Sequence, residues 1–240
     1  MASKPIAIIA GVGSGTGASL ARRFAKSYPV VLLARNPSNF EALAEEINQS
    51  GREAIGISTD VSSEESVKNA FAKIKEVYGG APVAAMIFNA SARPSRKPFL
   101  ELTTEEKGAF HIAQNAIPLL LTHVQSNPPA GTYPPTLIFT GATASVKSNA
   151  QMSSFSTGKF ALRALSTSLA KEFGPQGVHV AHAVIDGVID IEFTKKYIEG
   201  KPDEASIGSE DIAEVYWGLH TQGRRGWVNE VDVRPMLEKW

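Results

Sequence analysis

Short, continuously apolar segments alternate along this chain with longer amphipathic segments. The apolar segments predict strands at Pro5–Ala10, Val30–Ala34, Ala54–Thr59, Val83–Phe88, Thr136–Thr140, Val178–Ile185 and Trp227–Val233. Most are apolar at consecutive positions, which is typical of parallel strands that helices cover on both faces. The alternation of strands and helices therefore predicts an α/β fold, with a doubly wound, mostly seven-stranded parallel sheet and helices on both of its faces.

The amphipathic segments carry recognisable helix boundaries. Ser62–Glu65 and Thr103–Glu106 each fit a capping box, in which a hydroxyl and a glutamate satisfy free backbone N–H groups. Gln151–Phe173 predicts a long helix that ends at Gly174-Pro175. One face of this helix is apolar and consists of Phe155, Leu162, Leu165, Leu169 and Phe173.

Composition narrows the class of protein. The chain has 240 residues, which suits a single domain over 1–240, and its 24 basic residues balance its 24 acidic ones. Without a basic excess we expect no nucleic acid partner and no anionic membrane surface. Cysteine is absent and the five histidines have no metal-ligand spacing, so we expect no metal site. With neither a signal peptide nor a membrane-length apolar segment, we expect a cytoplasmic protein.

A glycine-rich turn follows the first predicted strand directly. It contains Gly11, Gly13, Ser14, Gly15, Thr16 and Gly17, and a helical pattern begins at its end. Glycines let a ligand approach the backbone, and the free N–H groups of a helix N-terminus bind phosphate oxygens. In this context the turn predicts a Rossmann-type site for a dinucleotide cofactor.

The end of the second strand indicates which dinucleotide binds. An acidic residue there would bind the 2′-hydroxyl of the adenosine ribose and select NAD. This chain instead has Ala34 followed by Arg35, and a guanidinium suits a 2′-phosphate. We therefore expect NADP(H) as the cofactor and consider NAD(H) the lesser alternative.

Several motifs together resemble the short-chain dehydrogenase/reductase family. They are the spacing Gly11-x-x-x-Gly15-x-Gly17, the pairs Asp60-Val61 and Asn89-Ala90, Lys159, and the turn Asp186-Gly187-Val188-Ile189. The resemblance implies adenine contacts at Asp60 and Val61. It implies further cofactor contacts at Asn89, Ala90, Gly187 and Val188, and a bond from Lys159 to the nicotinamide ribose.

The catalytic positions of that family are largely replaced. Its tyrosine corresponds to Phe155 and its serine to Ala142, and Glu105-Glu106 stand where its helix carries an asparagine. The helix is also shorter there than the family pattern implies. Asn115 lies at a suitable distance along the chain but in the wrong local context, so we do not assign it the asparagine's role.

These replacements remove the proton donor and the oxyanion donor of carbonyl reduction. Thr143 is the nearest hydroxyl that a small shift of its loop would bring to the serine position. Asp186 replaces a proline and could be a proton source or stabilise a cation, although a turn-forming role is favoured. Ser154 and Ser156 flank Phe155 but point elsewhere on the helix. The hydroxyls of Thr143, Ser154 and Ser156 can also be interpreted as purely structural.

Three functions remain open on the sequence alone. The first is an NADP(H)-dependent oxidoreductase that transfers hydride to a C=O, C=N or C=C bond of a small organic substrate. The second is a redox-silent nucleotide-binding or scaffold protein, and the third is a cyclase or isomerase without redox chemistry. The substrate pocket would lie among Ser91–Phe99, Ile191–Ser209 and the shortened helix. The resemblance also implies a homo-oligomer, with a homodimer expected before a homotetramer because that helix is truncated.

Overall fold

The computed structural model describes residues 4–91, 108–126 and 131–239. Seven strands form one sheet in the order β3-β2-β1-β4-β5-β6-β7, and every neighbouring pair is parallel. The strands are Ile6–Ala10 (β1), Val30–Ala34 (β2), Ala54–Ser58 (β3), Val83–Phe88 (β4), Thr136–Thr140 (β5), His179–Ile185 (β6) and Glu230–Val233 (β7). The predicted doubly wound parallel sheet is confirmed, and each predicted strand is present within a few residues of its predicted ends.

Helices cover both faces of the sheet. They are Thr16–Ala25 (α1), Glu41–Gln49 (α2), Glu64–Tyr78 (α3), Gly108–Gln125 (α4), Ser153–Phe173 (α5), Lys195–Ile198 (α6) and Ser209–His220 (α7). α1, α2 and α7 pack into one apolar core, and α3, α4 and α5 pack into the other. Within β1, Ala7 and Ile9 belong to the first core, whereas Ile6 and Ile8 belong to the second. This double burial explains why the strands are apolar at consecutive positions.

The helix boundaries required two corrections. Ser63, rather than Ser62, caps α3, and its side chain accepts a hydrogen bond from the Ser66 N–H. The Ser62 hydroxyl instead donates to Asp60 Oδ1 at 2.7 Å. α5 begins at Ser153 instead of Gln151, whose φ of 63° takes it out of the helix. The second predicted capping box, Thr103–Glu106, lies outside the described residues.

The order of the strands defines a crevice at one edge of the sheet. The chain moves outward in one direction from β1 to β3 and in the other from β4 to β7, so the order reverses between β1 and β4. In open α/β sheets, ligands bind at this reversal, beyond the carboxyl ends of the strands. The glycine turn after β1 and the loops after β4, β5 and β6 all lie at this edge.

Candidate active site

Two glycines of the turn are required by close packing. Gly11 has a φ of +95°, and a Cβ atom on it would lie 2.3 Å from the backbone nitrogen of Ala90. A Cβ atom on Gly17 would lie 2.7 Å from the carbonyl oxygen of Gly11. Larger residues at these positions would push the turn away from β4 and α1. Gly11, Gly17 and Ala90 therefore fix the shape of the turn.

Gly13 differs from these two because packing does not explain it. A Cβ atom on Gly13 would have no heavy atom within 4 Å among the described residues, so this glycine faces open space. Ser14 beside it is exposed. Gly15 caps α1 without a side-chain hydrogen bond, and the first turn of α1 contains no acidic residue. Free N–H groups, a positive helix end and an open glycine together fit a pyrophosphate group.

Arg35 and Asp60 lie beyond the ends of β2 and β3. The Arg35 side chain is exposed, and its carbonyl oxygen accepts a hydrogen bond from the Ser58 hydroxyl at 2.8 Å. Hydrogen bonds from the hydroxyl and backbone N–H of Ser62 hold the pKa of Asp60 below its usual value, and the positive charge of Arg35 acts in the same direction. Val61 contacts Gly108 at the start of α4, where a Cβ atom would lie 2.9 Å from its Cγ2.

A chain of buried hydrogen bonds joins the strand ends to α7. Tyr216 donates to Thr140 Oγ1 at 2.8 Å, and the Thr140 hydroxyl donates to Asn89 Oδ1 at 3.2 Å. Asn89 Nδ2 in turn donates to the Gly11 carbonyl oxygen at 2.8 Å. The Asn89 side chain therefore positions the glycine turn. This role was not evident from the sequence, where Asn89 was predicted only as a cofactor contact.

Lys159 reaches the same strand end from α5. Its side chain is buried, and Nζ donates to the Thr140 carbonyl oxygen at 2.8 Å. Burial lowers the pKa of Lys159 to about 8. Nζ lies 5.7 Å from the centre of the Phe155 ring, so the predicted pair is adjacent in the structure. Phe155 itself is half-buried and belongs to neither apolar core.

The loop after β5 carries Ala142 in a tight turn. The Ala142 N–H donates to Ser145 Oγ at 3.1 Å, and the Ala142 carbonyl accepts from the Ser145 N–H at 2.7 Å. The preceding Gly141 leaves room for His182, since a Cβ atom there would lie 2.4 Å from His182 Nε2. His182 Nδ1 lies 3.1 Å from Glu230, which also pairs with Arg163. Burial lowers the pKa of His182, which favours the neutral ring.

Thr143 and Asp186 lie in direct contact, although they are far apart in the sequence. The Thr143 hydroxyl donates to Asp186 Oδ1, and Arg234 NH1 forms a salt bridge with Asp186 Oδ2 at 2.9 Å. Asp186 is 3% exposed. An aspartate that only forms a turn would be solvated, so its turn-forming interpretation is incomplete. Arg234 was not evident from the sequence, because no local pattern links it to Asp186, 48 residues earlier.

The segment after β6 folds over the glycine turn. A Cβ atom on Gly15 would lie 2.5 Å from Ile191 Cγ2, so Ile191 packs directly on that glycine. Val188 accepts a hydrogen bond from the Ile207 N–H at 2.8 Å. Gly187 contacts Pro235, whose Cδ would lie 2.6 Å from a Cβ atom there. Of the predicted pocket segments, Ile191–Ser209 lies at this site, whereas most of Ser91–Phe99 lies outside the described residues.

Other polar side chains have structural partners. Asn115 Nδ2 donates to the His111 carbonyl oxygen within α4 at 2.9 Å. The Ser156 hydroxyl accepts from Ser148 at 2.8 Å. Within residues 4–91, 108–126 and 131–239, no group of three or more acidic or histidine side chains is arranged to hold a metal ion. No helix in that part of the chain is long and apolar enough to cross a membrane.

Comparison with known proteins gives a consistent result. The family model for short chain dehydrogenases matches residues 5–202. An uncharacterized oxidoreductase of Staphylococcus aureus is 24% identical and aligns over 96% of this chain and 97% of its own. A short-chain dehydrogenase from Rhodopseudomonas palustris is 28% identical with a TM-score of 0.74, and the match covers 95% of this chain and 98% of that one. A metagenomic short-chain oxidoreductase, solved in complex with NADP, is 22% identical with a TM-score of 0.79 and coverage of 98% and 99%.

The fold and the site thus define a doubly wound α/β protein with a glycine turn at the point where the strand order reverses. The family model covers well over half of the chain, and its match includes the glycine turn, Lys159 and the turn after β6. This chain belongs to the short-chain dehydrogenase family.

Proposed function

We propose that this protein is an NADP(H)-dependent oxidoreductase whose reaction requires no tyrosine as proton donor. One observation supports the proposal above all. Gly13 faces open space two residues before the cap of α1, that cap has no side-chain hydrogen bond, and Lys159 is held at the end of β5. A protein that had abandoned the cofactor would have no reason to keep Gly13 free of a side chain.

Arg35 supports NADP(H) over NAD(H). It is exposed at the end of β2, where a guanidinium would bind a 2′-phosphate through charge-assisted hydrogen bonds. The related metagenomic oxidoreductase was solved with NADP, which agrees with this assignment. Asp60 and Val61 would border the adenine. Gly187 and Val188 would border the nicotinamide, together with Asn89 and Ala90.

A bound nicotinamide dinucleotide supplies a hydride. The residues of this chain have to orient the substrate and provide any proton that the product requires. Lys159 has further N–H groups besides the one bound to Thr140, and these would hold the nicotinamide ribose. Phe155 and Ala142 offer neither a proton nor a hydrogen bond to a substrate oxygen. Loss of a general acid costs about 10²–10⁴ in rate. Loss of an oxyanion donor costs about 10²–10³. A protonated imine avoids both costs because it already carries the proton, and a conjugated enone can take its proton from water or another residue.

The test combines binding with turnover. Calorimetric titration with NADPH and NADH measures cofactor choice, and NADPH oxidation is then followed with a panel of ketones, imines and conjugated enones. We expect tighter binding of NADPH and turnover confined to imines or enones. Tight NADPH binding with no turnover on any class would instead support a redox-silent binding protein. Absence of NADPH binding would refute the proposal.

We also propose that the protein forms a homodimer. Phe160 on the outer side of α5 is 42% exposed, as expected of a helix that pairs with another copy. The tetramer implied as an alternative would need a second paired surface on the helix that the sequence shortens. Light scattering at micromolar concentration should show a dimer, and a stable monomer would contradict this proposal.

A further inference from the structure

We infer that Thr143 and Asp186 make this site select a substrate with an N–H donor, so that the bond reduced is a protonated C=N bond. This inference rests on the proposed function and specifies its substrate class. It is carried by the direction of one hydrogen bond. Thr143 is the hydroxyl next to Ala142, and its proton is committed to Asp186.

Both carboxylate oxygens of Asp186 are in use. Oδ1 accepts from Thr143, and Oδ2 forms a 2.9 Å salt bridge with Arg234 NH1. The Asp186 backbone N–H donates to the Val233 carbonyl oxygen at 2.9 Å, which fixes the residue beside β7. Exposed fractions of 5% for the Asp186 side chain and 18% for that of Arg234 keep this pair largely out of water.

The salt bridge determines which atom donates. An ionised carboxylate has acceptor sites only, so the proton between the two residues must come from Thr143. The Thr143 oxygen then has free lone pairs and no proton to offer a ligand. A serine that donates to a substrate oxygen would do the opposite. In this chain, the hydroxyl one residue after that position is an acceptor. The Ser145 hydroxyl, which accepts from the Ala142 N–H, is fully buried, and Ala142 and Phe155 add no side-chain donor.

The carboxyl-terminal segment holds this arrangement in place. Pro235 packs on Gly187, and the Leu237 N–H donates to the Glu204 carbonyl oxygen at 3.0 Å. These contacts fix Arg234 between the turn after β6 and the segment that precedes α7. Arg234 and Asp186 are therefore positioning residues for Thr143, since they act through its hydroxyl.

A ketone and an iminium ion make different demands on this site. Hydride addition to a ketone leaves an alkoxide that needs a donor and then a proton. Hydride addition to a protonated imine forms one C–H bond while the π electrons of C=N move onto nitrogen. The product is a neutral amine, and no proton has to be delivered. The N–H of such a substrate would donate to Thr143 Oγ1, whereas a ketone oxygen would meet an acceptor and be repelled.

Binding tests this inference independently of turnover. Calorimetry would compare 1,2,3,4-tetrahydroisoquinoline, a cyclic secondary amine, with 1-tetralone, a ketone of similar shape, with and without NADP⁺. Five-, six- and seven-membered monocyclic amines and ketones would extend the comparison to smaller rings. We expect the best-bound amine to bind about ten-fold more tightly than its matched ketone, the value of roughly one hydrogen bond that only the amine forms.

Variants assign the preference to Thr143. Thr143→Val keeps the shape of the side chain and should bring the amine-to-ketone affinity ratio to about one, whereas Thr143→Ser should preserve the ratio. Asp186→Asn can donate its own proton to Thr143 and should lower the ratio too. Thr167→Val, at an exposed position on α5, is the matched control and should change nothing.

Three results would overturn the inference. They are equal or tighter binding of the ketones, retention of the preference in Thr143→Val, and no amine binding at any ring size. None of these depends on NADPH, so failure of the proposed function would show separately, as loss of NADPH binding in the same calorimeter.

Discussion

At the scale of single residues, the proposed preference for NADP(H) depends on Arg35. Arg35→Ala should lose about 1.5–3 kcal/mol of NADPH binding, the usual contribution of a hydrogen bond to a charged group, and leave NADH binding unchanged. Arg52→Ala is the matched control, because Arg52 is also exposed but precedes β3, at the opposite edge of the sheet. Calorimetry measures both. Equal wild-type affinities for NADPH and NADH would contradict the assignment.

Substitutions of Phe155 and Ala142 test, also at the residue scale, why ketone reduction should be slow. The wild type should reduce simple ketones near background, because neither residue supplies a proton or a hydrogen bond. Phe155→Tyr alone should restore little, since position 142 still offers no oxyanion donor. The double variant with Ala142→Ser should give a measurable, NADPH-dependent increase in ketone reduction. Steady-state NADPH oxidation by both single variants and the double variant measures this, and the effects need not multiply.

Wild-type ketone turnover of about 1 s⁻¹ or more, within the ordinary range for enzymes, would contradict that account. Another residue would then donate the proton. Lys159, whose pKa burial lowers to about 8, would be the first candidate because it lies beside Phe155. Separate Lys159→Met and Thr143→Val variants would distinguish the two donors, provided that both are assayed at saturating NADPH, because Lys159 is also the proposed ribose contact.

At the scale of elements, the turn between β1 and α1 gives a direct test of nucleotide binding. Gly13→Ala should leave stability nearly unchanged, because a Cβ atom there meets nothing within 4 Å in the described structure. It should weaken NADPH binding, because the methyl group would occupy the space that a pyrophosphate needs. Chemical denaturation and calorimetry measure the two effects.

Gly218→Ala in α7 is the matched control for that variant. Its Cβ atom also meets nothing within 4 Å of the described residues, and Gly218 lies inside a helix. Alanine there should stabilise the protein by about 0.5–1 kcal/mol and leave NADPH affinity unchanged. If Gly13→Ala bound NADPH like the wild type, the turn would not approach the cofactor.

Elements were easier to predict from the sequence than contacts between them. β1, β2, β4, β5 and β6 were predictable because burial on both faces makes them largely apolar at consecutive positions, and β6 differs from its prediction by one residue. The start of α3 was misplaced by one residue because Ser62 and Ser63 are chemically equivalent. Only the structure shows that Ser62 hydrogen-bonds to Asp60 and that Ser63 caps the helix. The series of hydrogen bonds from Tyr216 through Thr140 to Asn89 was not predictable, because its side chains come from three separate parts of the sequence and no local pattern marks them.

At the scale of the whole molecule, four buried histidines make stability depend on pH. His123, His179, His182 and His220 are each at most 1% exposed, and burial lowers the pKa of all four. For His220 the pKa falls to about 3. Tyr28 lies 2.9 Å from His220 Nε2, and Thr136 lies 3.0 Å from His220 Nδ1. The folded protein therefore holds the His220 side chain in its neutral form.

The sign of the pH effect follows from the unfolded chain, which takes up protons near pH 6.5. Folded His220 does not do so until about pH 3, so the free energy of unfolding should decrease as the pH falls through this window. The stability that neutral His220 contributes is fully present above pH 6.5. Each such histidine contributes a slope of up to about 1.4 kcal/mol per pH unit.

Urea denaturation at several pH values between 7 and 4 measures this slope. His220→Gln should be less stable at pH 7 but should show a shallower decline towards acid. His111→Gln, at the half-buried fifth histidine, is the control and should keep the wild-type slope. Identical slopes for the wild type and His220→Gln would contradict the account.

The glycine turn of the candidate nucleotide site could be recognised from the sequence, whereas the side-chain contacts of the candidate substrate site could not. Phosphate binding depends on a contiguous turn, so the residues from Gly11 to Gly17 can be recognised together. The Thr143–Asp186–Arg234 contacts join the ends of β5, β6 and β7, and only the parallel arrangement of the sheet brings those ends to one edge. The sequence indicated Thr143 and Asp186 individually as candidates, but it could not show which of them donates the hydrogen bond between them.

Deuterium transfer in a competition between substrates tests whether this protein reduces a C=N bond with NADPH. NADPH carrying deuterium at C4 would be incubated with the protein and an equimolar mixture of imines, ketones and enones, and the products would be analysed by mass spectrometry. The account predicts one deuterium in the amine product, transferred from one C4 epimer of NADPH only, with alcohol products at background. Deuterium mainly in an alcohol, or in no product while NADPH is bound, would contradict it.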